Sequence, residues 1–162
     1  MKYAITGHTK GIGQEVYNRL LPNVVGFSRS NGYDISKAED RARIIAAVQD
    51  CDVFINNADD AESNSQSLLF IELYSAWKNQ NKKIINVGSK IADYPVDESS
   101  DLFQYKMKKT YLKNASQAAK GNACTVEYKS FGYVRTPEIL AKYANTDLAM
   151  ITIAEAADII LS

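Results

Sequence analysis

The sequence predicts an α/β fold in which one parallel sheet lies between two layers of helices. Short apolar segments of strand length alternate with helical segments along the whole chain, an order that is typical of right-handed β-α-β crossovers. The 162 residues are 46% hydrophobic and 23% charged, which are ordinary values for one globular domain. We therefore expect a single doubly wound, three-layer α/β/α domain spanning residues 1–162.

The first part of the chain is predicted to contain three strands and two helices. The strands are KYAIT, NVVGFS and CDVFINNA, each apolar and bounded by turn residues. The segment GIGQEVYNRLL carries apolar residues on one side of a helix. Ser36 is followed three residues later by Glu39, a capping-box pattern that predicts a second helix through about Val48.

The remaining part is predicted to contain two further strands and three further helices. The strands are KKIINVGS and ACTVEYKS, and the first of the helices is SLLFIELYSAWKNQN. The next helix carries Tyr105 and runs to about Lys120, before Gly121. FGYVRTPE is expected to be a loop, and the Thr152–Glu155 capping box opens the terminal helix.

The composition of the chain argues against several classes of function. Nineteen basic and nineteen acidic residues give a net charge of zero, which argues against nucleic acid and anionic membranes as partners and favours a small soluble ligand. His8 is the only histidine, so His-based triads are excluded and we expect no metal site. Cys51 and Cys124 lack metal-type spacing, and the N-terminus has no signal-peptide pattern, from which we expect a reducing, cytoplasmic location.

A glycine-rich turn joins the first strand to the first helix. Gly7, Gly11 and Gly13 lie there, where missing Cβ atoms permit a tight turn and the close approach of a pyrophosphate to backbone N–H groups. The helix N-terminus adds a favourable dipole. The alternative is an ordinary strand-helix turn, but the position in the chain favours a dinucleotide site of the Rossmann type.

The end of the second strand indicates which dinucleotide is preferred. A site for NAD usually carries an acidic residue there, whereas this chain has Ser28 and Arg29. Arg29 and Lys10 could both contact a 2′-phosphate. The sequence therefore favours NADP(H), the alternative being that both residues are solvated surface cations.

Tyr105 and Lys109 stand four residues apart in a predicted helix, so their polar ends can converge on one point. Ser89 follows a strand upstream of them. Each residue alone is unremarkable, because the chain has ten tyrosines and serine often ends a strand. Together with the glycine turn, the three residues favour catalysis.

With TGHTKGIG, NNA at Asn56 to Ala58, Ser89 and Tyr105-x-x-x-Lys109 in this order, the sequence resembles the short-chain dehydrogenase/reductase family. The segment FGYVRTPE is similar to the family's PGxVxT loop, with Phe131 in place of proline. The residues expected to contact the cofactor are Gly7, His8, Thr9, Lys10, Gly11, Ile12, Gly13, Ser28, Arg29, Asp34, Ile35, Asn57, Ala58, Tyr105, Lys109, Val134 and Thr136.

The resemblance implies hydride transfer between a nicotinamide and a small carbonyl or alcohol substrate. Tyr105 would act as general acid or base, Lys109 would stabilise its phenolate and bind the nicotinamide ribose, and Ser89 would hold the substrate oxygen. Asn64 is the candidate for an asparagine that binds a water next to Lys109. His8 is expected to be a bystander to the chemistry.

Compared with the family, the chain is shortened. A helix is expected to be absent between Arg29 and Asp34, another after Ala58, and the last strand after Ser162, and the substrate-covering segment after Pro137 is short. These losses leave open a non-catalytic NADP(H)-binding sensor or scaffold as the alternative function. An epimerase or dehydratase of the related extended type ranks last, because its C-terminal substrate domain is missing.

By the same resemblance, the protein is expected to form a homodimer or homotetramer. The helices that carry Trp77 and Tyr105 pair across an interface in the family. The interface candidates, for which ordinary core packing is the alternative, are Phe70, Tyr74, Trp77, Met107 and Tyr111.

Overall fold

The computed structural model describes residues 1–143 and 145–162, and these contain one sheet of five parallel strands. The strands are β1 (Tyr3–Thr6), β2 (Val24–Phe27), β3 (Val53–Asn56), β4 (Lys83–Val87) and β5 (Thr125–Lys129). Their spatial order is β2-β1-β3-β4-β5. The order reverses at β1, and such a switch point leaves a crevice at the carboxyl ends of the strands.

Six helices flank the sheet in the described part of the chain. They are α1 (Gly11–Leu20), α2 (Ala38–Ala47), α3 (Ser65–Trp77), α4 (Phe103–Ala118), α5 (Pro137–Lys142) and α6 (Ile153–Leu161). Short 3-10 turns at Arg29–Asn31 and Lys90–Asp93 follow β2 and β4. Within residues 1–143 and 145–162, no helix combines the length and apolar character needed to cross a bilayer.

Two apolar clusters cover the two faces of the sheet. Phe54 and Trp77 lie in the cluster that packs under α2, α3 and α4, and their rings meet edge to face at 6.3 Å. Ile5 and Ile160 lie in the cluster under α1 and α6. Because both faces are covered, the inner strands β1, β3 and β4 are mainly apolar, as expected for parallel strands, whereas the edge strand β5 (TVEYK) carries polar and charged residues. The predicted doubly wound α/β/α class is confirmed.

The two predicted capping boxes have different outcomes. Thr152 accepts a hydrogen bond from the Glu155 N–H at 3.1 Å, and the Glu155 carboxylate accepts one from the Thr152 N–H at 3.4 Å, as predicted. At α2 the prediction is wrong, since the helix begins after Lys37. The Ser36 N–H and hydroxyl instead both donate to Asp34 Oδ1, at 2.9 Å and 2.7 Å, which holds Ser36 in the turn before the helix.

Helix α5 lies where the sequence predicts a loop. Thr136 accepts a hydrogen bond from the Ile139 N–H at 3.3 Å, and Pro137 occupies the first turn. An N-cap threonine followed by proline is a helix-start signal. This signal is present in the sequence, but a helix of six residues is too short to show the apolar periodicity of a helix.

The candidate interface residues separate into buried and exposed groups. Phe70 and Trp77 belong to the core, with 2% and 0% of their surface exposed. Met107 and Tyr111 on α4 are 51% and 49% exposed. For Phe70 and Trp77, therefore, core packing is the correct interpretation.

Candidate active site

The functional candidates follow the carboxyl ends of neighbouring strands. Gly7 follows β1, Ser28 follows β2, Asn57 follows β3, and Ser89 lies two residues after β4. All strands are parallel, so these ends meet at one edge of the sheet. The fold thus brings together segments that are far apart in the sequence.

The glycine turn has the geometry that only glycine permits. Gly7 and Gly11 have φ angles of 72° and 57°, in the left-handed region that disfavours other residues. A Cβ on Gly13 would lie 1.9 Å from the Gly7 carbonyl oxygen. The start of α1 can therefore pack directly against the end of β1.

A cavity of about 640 Å³ opens beside this turn. Most of the residues expected to contact a cofactor line it: Gly7, Thr9, Lys10, Gly11, Ile12, Gly13, Ser28, Arg29, Ile35, Asn57, Ala58 and Thr136. Tyr33, Asp59 and Glu138 also line it, and sequence reasoning did not single these residues out.

His8 and Asp34, two further residues expected at the cofactor, do not line this cavity. The His8 ring packs 4.8 Å from the Tyr17 ring and fills the space above Gly26, where a Cβ would lie 2.3 Å from it. The Asp34 carboxylate instead accepts hydrogen bonds from Ser36. Both residues therefore shape the neighbouring loops.

The cations at the cavity mouth face carboxylates. The Arg29 guanidinium lies 3.6 Å from Asp34 Oδ1 and 3.6 Å from Asp60 Oδ1. Lys10 Nζ lies 3.5 Å from Glu138 Oε1. These pairs are long and solvent-exposed, so each contributes at most about 1 kcal/mol. Both cations can exchange their partners for a ligand at little cost.

Ser89 is held at the end of β4 by a tyrosine that sequence reasoning missed. The Ser89 N–H donates to the Tyr128 hydroxyl at 3.2 Å, and that hydroxyl donates to the Ser89 carbonyl at 3.3 Å. A Cβ on Gly88 would lie 2.1 Å from the Tyr128 ring. Gly88 therefore makes room for Tyr128, which fixes the backbone of Ser89.

Tyr105 and Lys109 lie one turn apart on α4, with the Lys109 ammonium 5.5 Å from the centre of the Tyr105 ring. Tyr105 is 38% exposed, whereas Lys109 is only 5% exposed. Burial raises the pKa of Tyr105, a hydrogen bond with Ser89 lowers it, and the Asp59 charge raises it further. Burial lowers the pKa of Lys109, and Asp59 opposes that change.

Gln66 on α3 contacts Lys109 directly. Gln66 Oε1 accepts a hydrogen bond from Lys109 Nζ at 2.7 Å. Gln66 Nε2 donates to the carbonyls of Asn56 at 2.9 Å and Val87 at 2.8 Å. Asn64 lies at the helix start and, within the described residues, its side chain makes no hydrogen bond to Lys109. The expectation that Asn64 binds a water next to Lys109 stays a prediction.

Beside Gln66, a chain of buried hydrogen bonds crosses from β3 to α4. Asn56 Nδ2 donates to Asn86 Oδ1 at 2.9 Å, and Asn86 Nδ2 donates to the Ser116 hydroxyl at 2.9 Å. The Ser116 hydroxyl donates to the Leu112 carbonyl at 2.7 Å. Buried polar groups are costly unless they are paired, so this chain fixes α4 against the sheet.

Asp59 directly follows the NNA motif and is the nearest carboxylate to Lys109. Its Oδ2 lies 3.4 Å from Lys109 Nζ, and its Oδ1 lies 3.1 Å from Lys108 Nζ. Asp59 is partly exposed and also lines the first cavity. Its charge thus acts on both the cofactor candidates and the Tyr105–Lys109 pair.

A second cavity, of about 820 Å³, adjoins the first. Ile12 and Thr136 line both cavities, while Ser89, Tyr105 and Val134 line the second. A ligand in the second cavity would therefore contact the wall that contains Ser89 and Tyr105, and ligands in the two cavities could meet at Ile12 and Thr136.

No protein-family model and no curated protein matches the chain. Solved structures do match. A short-chain dehydrogenase from Burkholderia cenocepacia, in complex with NADP, is 21% identical with a TM-score of 0.76 over 99% of this chain and 84% of that one. A small-chain dehydrogenase in complex with NADPH is 15% identical, with a TM-score of 0.75 over 99% and 89%.

The 3-alpha-hydroxysteroid dehydrogenase from a Pseudomonas species, complexed with NADH, is 18% identical, with a TM-score of 0.67 over 99% of this chain and 88% of that one. Identities this low establish shared architecture. The chain therefore has the fold of the short-chain dehydrogenases.

Replacing Gln66 by leucine is expected to destabilise the protein by on the order of 3 kcal/mol, because two buried carbonyls lose their donor and the Lys109 ammonium loses an acceptor. Urea unfolding measures this change. Gln49→Leu is the matched control: Gln49 is exposed and bonds only the Ile45 carbonyl, so its effect should stay within about 0.5 kcal/mol. Equal stabilities for the two variants would contradict this role of Gln66.

Proposed function

We propose that the protein is an NADP(H)-dependent oxidoreductase that transfers hydride between a nicotinamide and a carbonyl or alcohol carbon. The observation that carries this proposal is that Ser89 and Tyr105 together line the second cavity, which adjoins the first, while the Lys109 ammonium lies 5.5 Å from the centre of the Tyr105 ring and is held by Gln66. The short-chain dehydrogenase fold and its neighbours solved with NADP and NADPH support the same class.

The first cavity fits a dinucleotide. A Cβ on Gly13 would overlap the Gly7 carbonyl, so the turn leaves its backbone open to an extended phosphate group at the N-terminus of α1. The adenine end would lie between Tyr33 and Ile35, which line the cavity beyond β2. The nicotinamide end would lie near Ile12 and Thr136.

The position of Arg29 supports a preference of the first cavity for NADP(H) over NAD(H). A 2′-phosphate there would replace the 3.6 Å contacts to Asp34 and Asp60 with a doubly charged acceptor that can bind the guanidinium fork. Because the present pairs are exposed and weak, the exchange is favourable. Lys10 can add a second positive charge from the glycine turn.

When bound, the nicotinamide supplies or accepts the hydride. In the reducing direction Tyr105 donates its hydroxyl proton to the carbonyl oxygen, and the Ser89 hydroxyl donates a hydrogen bond to the same oxygen. The Lys109 charge stabilises the resulting phenolate. Gln66 keeps that charge in place, and Tyr128 keeps Ser89 in place.

One observation favours a second candidate, the non-catalytic NADP(H)-binding protein. Asp59 places a negative charge 3.4 Å from Lys109 Nζ and raises the pKa of Tyr105, which opposes formation of the phenolate. A protein that binds the cofactor without turnover could tolerate this charge.

Exposed apolar side chains on α3 and α4 support a homodimer formed through these two helices. The side chains are Leu68, Ile71, Met107 and Tyr111.

Arg29→Gln is expected to weaken NADPH binding roughly tenfold, the value of one lost charge-assisted contact. NADH binding should be unchanged, because NADH lacks the 2′-phosphate. Fluorescence titration of each reduced cofactor measures both affinities. Lys78→Gln, an exposed position between α3 and β4, removes the same charge as a control. Absence of NADPH binding to the wild type would overturn the proposed function.

Tyr105→Phe is expected to lower kcat for ketone reduction about 10²- to 10⁴-fold, because it removes the general acid. NADPH affinity should change little. Absorbance of NADPH follows turnover with any ketone that the wild type reduces. Tyr111→Phe on the exposed side of the same helix should keep full activity. Cofactor binding with no turnover of any carbonyl compound would favour the sensor function.

Asp59→Asn is expected to shift the pH profile of alcohol oxidation to lower pH. Oxidation needs the Tyr105 phenolate as base, so kcat/KM rises as pH passes the pKa of Tyr105. The Asp59 charge raises that pKa, and its removal lowers it while Gln66 still holds Lys109. Asp101→Asn, which alters an exposed carboxylate just before α4, is the control. An unshifted profile would show that Asp59 does not act on Tyr105.

A further inference from the structure

We infer that the second cavity binds a mainly apolar carbonyl compound that also carries an anionic group, in the simplest case a carboxylate. This inference rests on the proposed function, since that function assigns the carbonyl to Ser89 and Tyr105. It adds the substrate class, which follows from the size of the cavity, its apolar walls and the sign of its charges.

The cavity is larger than a small metabolite requires. Its volume of about 820 Å³ lies toward the upper end of the roughly 300–1,000 Å³ that is typical of small-molecule sites. Apolar side chains from four separate segments form its walls: Ile91, Val96, Leu102, Phe131, Ile139 and Met150. Such walls favour a ligand with an aliphatic or aromatic body.

The reactive end of the ligand is fixed by geometry. Ser89 and Tyr105 line the cavity, and Ile12 and Thr136 join it to the cofactor cavity. A carbonyl group must therefore lie at this junction to receive a hydride. The rest of a ligand that fills the cavity extends away from the junction.

The charged side chains that line the cavity are all positive in the described lining. Lys90 and Lys142 line it, and its described lining contains no aspartate or glutamate. Neither lysine has a carboxylate within 4.0 Å in residues 1–143 and 145–162. The cofactor cavity differs, since its cations Lys10 and Arg29 both face carboxylates.

Lys142 is held at the rim of the cavity. Its Nζ lies 5.4 Å from the centre of the Tyr143 ring, and the Tyr143 ring packs 5.0 Å from Tyr133. Both tyrosines line the cavity, so the ammonium stays next to the wall that they form. Two uncompensated cations beside an apolar cavity attract an anionic ligand and repel a cationic one.

Three probes of nearly equal shape test this inference: 4-(4-acetylphenyl)butanoate, its neutral primary amide, and 4-(4-acetylphenyl)butylamine. Calorimetric titration into the protein saturated with NADP⁺ measures binding directly, without a need for turnover. The carboxylate should bind tightest and the amine weakest. NADPH oxidation by the same three ketones then gives kcat/KM, which should follow the same order.

Lys90→Gln and Lys142→Gln should each weaken binding of the carboxylate roughly fivefold, as expected for a partly exposed ion pair. Binding of the neutral amide should not change. Lys120→Gln is the control, because Lys120 is exposed between α4 and β5 and lies outside the cavity. Loss of affinity for the carboxylate alone, at both lysines, would support the inference.

Equal affinity for the carboxylate and the amide would overturn the inference, as would a preference for the carboxylate that is undiminished in both lysine variants. The proposed function would survive either result if NADPH binds and any of the ketones is reduced. Failure of NADP⁺ to bind would overturn the proposed function instead, and the same titrations into the free protein would still decide whether the lysines select an anion.

Discussion

The hydrogen bonds of Gln66 join the ends of β3 and β4 to the Lys109 ammonium. Its amide donates to the carbonyls of Asn56 and Val87 and accepts from Lys109. An isolated ammonium in the protein interior is strongly unfavourable, and the Gln66 acceptor and the Asp59 charge both favour the charged form of Lys109. The geometry of Tyr105, one turn earlier on α4, depends on the same contact.

Charge is distributed differently in the two cavities. In the first, cations face carboxylates across the opening, so a phosphate must compete with existing partners. In the second, the cations have no carboxylate partner in the described part of the chain. Asp59 lines the first cavity, and its charge raises the pKa of Tyr105. Any catalysis here must therefore operate with a less acidic tyrosine than the same site without Asp59 would have.

The order of strands and helices could be predicted because apolar periodicity and turn residues are local properties. The glycine turn and the spacing of Tyr105 and Lys109 are likewise local. Gln66, Tyr128 and Asp59 were missed because their roles depend on contacts between distant segments, which one sequence does not display. The Ser36 error arose because hydrogen bonds to Asp34 hold Ser36 in the turn before α2, an arrangement that depends on the fold of the loop.

Thr136 has two structural roles, since it caps α5 and lines both cavities. Helix α5 also contributes Ile139 and Lys142 to the second cavity. An occupant of the first cavity that orders Thr136 must therefore change the affinity of the second for its own ligand. By thermodynamic linkage the reverse effect has the same size, so the two ligands are expected to bind cooperatively, with α5 as the element that couples them.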